Sequence, residues 1–133
     1  MNMKDPVAMT MRMIDADTFQ RATTVVPRGA KLDGAMTSDE GLALRIDGDF
    51  KGKLDIRHEG AVHIGEGANM ECESLTADYI YVQGRVKGSL VARKGLELAA
   101  SARVSGNVRY ETELDVHPGA RISGTITGPE DDA

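Results

Sequence analysis

The chain has 133 residues, enough for one domain of ordinary size with short tails. Aromatic residues make up 4% of it and tryptophan is absent, so the core has to be aliphatic. The net charge of −5 argues against sequence-independent nucleic-acid binding, which requires Lys and Arg to neutralise phosphates. No apolar run approaches the roughly 18 residues of a membrane span, and no secretion signal is recognisable. With one cysteine and no disulfide partner, a cytoplasmic location is expected.

Residues 1–23 lie outside the periodic part of the sequence and are predicted to form a flexible leader. They include five of the seven methionines, and residues 7–14 form a mildly apolar stretch that contains Arg12 and has Lys4 nearby. This stretch is a candidate for peripheral contact with the inner face of the cytoplasmic membrane. The candidate contact residues are Val7, Met9, Met11, Met13 and Ile14. Because a single short amphipathic signal binds weakly and reversibly, stable anchoring is not expected.

An 18-residue repeat runs without insertion from about Val26 to Ile126. Its clearest unit is an apolar residue, any residue, Gly, any residue and an apolar residue, first seen in residues 32–36. Copies follow at residues 50–54, 86–90, 104–108 and 122–126. A degenerate copy at residues 68–72 has Met70 in the glycine place and Cys72 in the apolar column of Leu54 and Leu90. The glycines are predicted to form a corner that needs positive φ.

The same step aligns further apolar columns. They are Val26, Leu44, Val62, Ile80, Leu98 and Val116, and Ile46, Ile64, Val82, Ala100 and Pro118. Polar residues alternate with them, as in residues 44–46, which is the period-2 pattern of a half-buried strand. Such a strand buries its apolar face when successive turns of the chain stack. The sequence therefore predicts an all-β, single-stranded β-helix (β-solenoid) of about six windings of 18 residues, spanning residues 24–127.

An enzyme is the alternative, because the repeat unit also divides into three hexads. Left-handed, three-sided helices of this kind occur in hexapeptide-repeat acyltransferases and solenoid carbonic anhydrases. The repeat places His63 and His117 in one column, about 14 Å apart, too far to share a metal ion. His58 has no partner at a fixed spacing, and Cys72 is expected to be a small buried hydrophobe. We therefore expect exposed histidines and no catalytic, metal-binding or cofactor-binding residues, although a site built between subunits stays open.

One outward column is rich in arginine. It consists of Lys31, Asp49, Gly67, Arg85, Arg103 and Arg121. Its last three members, the arginine stripe, are a candidate binding site for an acidic partner. The alternative is a solvated face in which acids such as Glu97 and Glu113 are interleaved.

The repeat stays apolar to both ends, which therefore lack an evident cap. Uncapped windings offer open strand edges to a second copy of the chain, and contacts that do not close into a ring produce a filament. The predicted contact residues are Val26, Leu32 and Met36 at one end and Leu114, Val116, Ile122 and Ile126 at the other. Residues 128–133 are predicted to be an acidic tail that Pro129 keeps out of the last strand.

Residues 119–124, their variant at 101–106, and residues 44–48 and 82–88 resemble the bactofilins, and the resemblance covers essentially the whole repeat. It implies a right-handed, three-sided β-helix that polymerises without nucleotide into non-polar filaments. Such filaments act as cytoskeletal scaffolds for cell-wall enzymes or other morphogenesis machinery. Some members of the family reach the membrane through an N-terminal tail and use an aromatic residue of a terminal winding for assembly. The only phenylalanines here are Phe19 and Phe50.

Overall fold

A computed structural model describes residues 24–39 and 42–129. The predicted leader with its candidate membrane contacts, and residues 130–133 of the tail, lie outside this part of the chain. The described residues form ten strands, all paired in parallel. The strands are β1 (Thr24–Val26), β2 (Lys31–Ser38), β3 (Ala43–Ile46), β4 (Asp49–Ile56), β5 (Ala61–Ile64), β6 (Asn69–Val82), β7 (Arg85–Leu98), β8 (Arg103–Tyr110), β9 (Glu113–Val116) and β10 (Arg121–Thr127). The predicted all-β solenoid of about six windings is confirmed.

Each winding contributes a short strand and a long one. The short strands β1, β3 and β5 stack in order, and the stack continues through the ends of β6 and β7 to β9. We call this the short-strand face. The long strands β2, β4, β6, β7, β8 and β10 stack beside it.

The interior is aliphatic, as the composition requires. Leu44, Val62, Ile80 and Leu96 form one ladder on the short-strand face, and all four are fully buried. Each such side chain contributes about 1.5–3 kcal/mol to the free energy of folding by leaving water. The ladders therefore stabilise the stacking of windings directly, because each rung is covered by the rungs above and below it.

The long strands bend at a column of glycines, which confirms the predicted corner. Gly34, Gly52, Gly88, Gly106 and Gly124 have φ between +134° and +141°, a region that favours glycine. A Cβ on Gly52 would lie 1.7 Å from the carbonyl oxygen of Gly34. Glycine is therefore required here for two reasons, the backbone conformation and the closeness of the winding below.

The expectation of a repeat without insertions is wrong in detail, since the windings differ in length. Phe50 pairs with Met70, and Met70 pairs with Val86. The winding from Phe50 to Met70 is therefore longer than the 18-residue repeat, and the winding from Met70 to Val86 is shorter. The corner at residues 65–68 is longer than the neighbouring corner at residues 83–84. As a result Leu98 stacks on Val82 and not on Ile80, and the predicted column through Ala100 and Pro118 does not form.

Cys72, and not Met70, occupies the glycine column, between Gly52 and Gly88. Leu75 takes the place between Leu54 and Leu90 that the repeat assigned to Cys72. The register shifts after Cys72, so Glu73 is an extra residue in this winding, which is a β-bulge. The bulge lets a residue with a side chain replace the corner glycine. The predicted burial of Cys72 is confirmed, and burial raises the pKa of its thiol to about 11.

Candidate functional site

Each end of the solenoid has an open edge among the described strands. At the first winding β1 pairs only with β3, and β2 only with β4. At the last winding β9 pairs only with β7, and β10 only with β8. An edge strand of this kind can pair with a further strand, which is the geometry that allows another chain to add to a sheet.

The ends also expose apolar side chains that are buried one winding further in. Leu32 is 37% exposed, whereas Phe50, its partner in the next winding, is 2% exposed. Ile126 is 43% exposed, and its partner Val108 is 1% exposed. These residues belong to interior ladders, so their exposure results from the lack of a further winding among the described residues.

The other predicted end residues are more covered. Met36, Leu114, Val116 and Ile122 are half-buried, and Val26 is buried. Val25, which the repeat did not single out, is 49% exposed in the first winding. The signal that could have found it is its position beside Val26, where alternation places a second valine on the outside of β1. Among the described residues, the exposed large hydrophobic side chains are Val25, Leu32 and Ile126, all in terminal windings.

The three members of the arginine stripe stack in register. Arg85 pairs with Arg103, and Arg103 with Arg121. The next member of this column is Asn69 and not Gly67, because of the longer corner that precedes it. Nη1 of Arg103 donates a hydrogen bond to the carbonyl oxygen of Ala102 at 2.9 Å, which orients one guanidinium of the stripe.

The stripe borders a groove of about 580 Å³ that also contains Lys87 and Glu71. The two acids named in the alternative interpretation do not lie beside the stripe. Glu97 and Glu113 lie on the short-strand face, Glu97 fully buried and Glu113 exposed. Neighbouring strands lie about 4.8 Å apart, so the three guanidinium groups form a concentrated positive patch on a chain of net charge −5. This patch can attract an anionic group.

The histidines are not arranged as predicted. His63 pairs with Tyr81. His117 follows Val116, the partner of Leu98, and this position belongs to another column, so the two histidines do not share one. His63 is only 2% exposed, and its Nε2 lies 2.7 Å from Oε1 of Gln83. Its ring stacks on Tyr81 with centroids 5.3 Å apart. His58 alone is exposed, at a corner where its φ is 53°.

His117 lies in an acidic cluster that the sequence analysis missed. Its Nε2 is 2.5 Å from Oε2 of Glu97 and 3.6 Å from Oδ2 of Asp115. One ligand atom from each residue lies within 4.8 Å of the others, so the three could hold a divalent cation. The Glu97–His117 hydrogen bond also explains the cluster without a cation. The 18-residue step is the signal that could have found it, because it places Asp115 directly beside Glu97, and His117 lies two residues beyond Asp115.

The fold and its open ends define the class of protein, a β-solenoid whose terminal windings expose edges and apolar rungs. The chain matches the bactofilin family, described as polymer-forming cytoskeletal, over residues 24–127, and it belongs to this family. It is similar to Bactofilin BacO of Myxococcus xanthus (strain DK1622), with 30% identity over 109 residues, 82% of each chain. No solved structure matches the chain significantly. No helix among the described residues is long and apolar enough to cross a bilayer.

Proposed function

We propose that this bactofilin assembles end to end, without nucleotide, into non-polar filaments in the cytoplasm. The observation that carries the proposal is the exposure of Leu32 and Ile126, which are rungs of otherwise buried ladders at opposite ends of the solenoid. Stacking a second copy on either end removes these side chains from water, and full burial of such a side chain is worth about 1.5–3 kcal/mol. Pairing of the open strand edges adds to this.

Head-to-head and tail-to-tail contacts give a filament without polarity. Each contact is then made by the same surface of two copies around a two-fold axis, as in most homodimers. Because two kinds of contact alternate, the filament grows without closing.

Negative-stain electron microscopy of purified protein, without added nucleotide, tests assembly. We expect filaments one solenoid wide. A gold label on a C-terminal affinity tag should mark pairs of adjacent ends, so that short and long label spacings alternate. Monodisperse monomers at high protein concentration would refute the proposal, and evenly spaced labels would refute the lack of polarity.

We further propose that the filaments localise partner proteins, such as cell-wall or other morphogenesis enzymes, through the arginine stripe. A filament repeats the patch of Arg85, Arg103 and Arg121 in every subunit, which gives a multivalent surface for acidic segments. Cross-linking in cells with a photoreactive residue at Lys87, beside the stripe, should capture partners. Capture that is unchanged when the stripe arginines are replaced by glutamate would refute this role.

We infer that the chain acts as a scaffold and not as an enzyme. The burial of His63 and the raised pKa of Cys72 support this, because a base or nucleophile needs an accessible, suitably ionised group. Metal analysis of purified protein together with light scattering tests the enzymatic alternative. Stoichiometric zinc in a closed trimer would favour that alternative.

A further inference from the structure

The outer surface of the short-strand face is buried, which is unusual for a single-layered solenoid. Arg45, His63, Tyr81 and Glu97 form the outward column on this face. Arg45 is exposed, but His63 is 2% exposed and Tyr81 and Glu97 are 0% exposed. The inward neighbours of these residues are fully buried as well. This sheet is therefore covered on both sides, whereas outward residues of the long strands, such as Lys51 and Arg85, are exposed.

The described windings do not supply this cover. All extensive contacts between described strands join neighbours in the sheet, so these strands form no second layer over the face. Three segments of the chain lie outside the described residues and are candidates for this cover, namely residues 1–23, 40–41 and 130–133. Residues 40–41 are too few to cross several strands. Residues 130–133 are mostly acidic and would be repelled by Glu97 and Asp115.

We propose that residues 1–23 bind in cis across the outer surface of the short-strand face, over His63, Tyr81 and Glu97. The segment leads directly into β1, the first strand of this face. From β1 to β7 is four strand spacings, about 19 Å. Even at the rise of about 1.5 Å per residue of an α-helix, the segment spans about 34 Å. It is therefore long enough to reach the whole buried column.

The chemistry of the two surfaces is complementary. The stacked rings of His63 and Tyr81 offer an aromatic surface, and methionine sulfur packs favourably against such rings. The segment contains five methionines and Phe19 for this contact. Glu97 and Asp115 lie at the other end of the column, and the segment carries Lys4, Arg12 and Arg21 to pair with them.

Binding in cis has a functional consequence. Met9, Met11, Met13 and Ile14 are the same residues that the sequence offers for membrane contact. A side chain packed on the solenoid cannot insert into a lipid surface, so the two uses exclude each other. The short-strand face thus keeps the leader from membranes until it is released.

Site-specific photo-cross-linking of the full-length chain tests the proposal. Benzoylphenylalanine replaces Arg45, which is exposed and lies in the same outward column as His63, Tyr81 and Glu97. The sample is an equal mixture of ¹⁴N-labelled and ¹⁵N-labelled protein. We expect cross-linked peptides from residues 1–23 of the same isotope. The control position is Lys51, an exposed outward residue of the long-strand stack, where no such peptides should form. Cross-links to residues 24–129, or mixed-isotope pairs that reveal a second copy as the cover, would overturn the proposal.

Hydroxyl-radical labelling gives an independent readout from within the face. In the unaltered chain Tyr81 should be labelled far less than the half-buried Tyr110. Replacing Met9, Met11 and Met13 by serine should raise the labelling of Tyr81 at least to that of Tyr110, with the β-rich circular dichroism retained. The control substitution Thr18→Ser should leave Tyr81 protected. Continued protection of Tyr81 in the triple variant would also overturn the proposal.

Discussion

Arg93 holds Asp78 in an ion pair that connects three successive windings. Its Nε lies 2.6 Å from Oδ1 of Asp78, and its Nη2 donates to the carbonyl oxygen of Ile56, one winding further back. Oδ2 of Asp78 accepts a hydrogen bond from the backbone amide of Glu59 at 2.7 Å. The pair thus fixes the corner at residues 57–60, where His58 and Glu59 adopt positive φ.

This ion pair predicts a pH dependence of stability. Burial alone would raise the pKa of Asp78, but the hydrogen bond and charge of Arg93 outweigh it, so this pKa lies below its ordinary value of 3.8. A carboxyl group with a lowered pKa stabilises the fold above its ordinary pKa, and this contribution disappears as the pH falls through the lowered value. The urea midpoint should therefore fall below pH 3.8 more steeply in the unaltered chain than in Asp78→Asn. Parallel pH profiles of the two proteins would contradict this assignment.

The glycine column allows a matched pair of substitutions. Gly34 and Gly106 have nearly the same φ, +141° and +136°. A Cβ on Gly34 would meet nothing within 4 Å, whereas one on Gly106 would lie 2.0 Å from the carbonyl oxygen of Gly88. We expect Gly34→Ala to cost about 1–3 kcal/mol from backbone strain alone, and Gly106→Ala to cost clearly more because β7 and β8 must separate. Urea unfolding followed by circular dichroism measures both, and equal losses would show that the close approach is unimportant.

The fold was predictable because its signal repeats. Alternation of apolar and polar residues recurs in every winding, so the β-solenoid and the glycine corner follow from the sequence even when one copy is degenerate. Register was predictable only where successive windings keep the same length. The arginine stripe lies in such a region, since Arg85, Arg103 and Arg121 are in successive uniform windings.

Lateral contacts across unequal windings were not predictable. The short corner after Val82 brings Glu97 under Tyr81, and no spacing rule in the sequence predicts this contact. The longer corner at residues 65–68 likewise shifts the register by two residues and places Cys72 in the glycine column. Corner length is decided by local turn geometry and packing, and apolar periodicity carries little information about either.

The position of Cys72 predicts a slowly reacting thiol. Only the thiolate attacks a disulfide reagent, and with a pKa of about 11 very little thiolate exists at pH 8. Burial also restricts access to the sulfur. We expect slow reaction with Ellman's reagent in buffer and rapid reaction in urea. As a control, Ser105→Cys in a Cys72→Ala background places a thiol on an exposed part of β8 and should react rapidly in both conditions. Rapid reaction of Cys72 in buffer would show that the corner of the winding around Cys72 opens in the folded protein.

A charged substitution at one end of the solenoid should disrupt one of the two kinds of filament contact and leave the other intact. Ile126→Arg introduces a charge at the last winding, and leaving it buried without a partner in an end contact would cost several kcal/mol. In a non-polar filament the other end still pairs, so this variant should form dimers. Leu32→Arg should also form dimers, and the double variant should form monomers.

Light scattering with multi-angle detection measures these states, and circular dichroism checks the fold. Thr125→Arg is the control, since it adds the same charge to an exposed residue of β10 beside Ile126. It should leave filaments intact. Monomers from either single variant would indicate head-to-tail stacking, and filaments from the double variant would place the contacts elsewhere.

The arginine stripe should bind acidic peptides through charge. Arg85→Glu with Arg121→Glu reverses two of its three charges but keeps Arg103, whose guanidinium also donates to the backbone. Exposed ion pairs are worth up to about 1 kcal/mol each, so the double variant should weaken the binding of a polyglutamate peptide by about tenfold. The matched control, Lys53→Glu with Arg109→Glu, changes the net charge equally at exposed residues beyond the glycine corner. Fluorescence anisotropy at two salt concentrations distinguishes the cases. Equal weakening by both pairs would mean that net charge, and not the stripe, attracts the peptide.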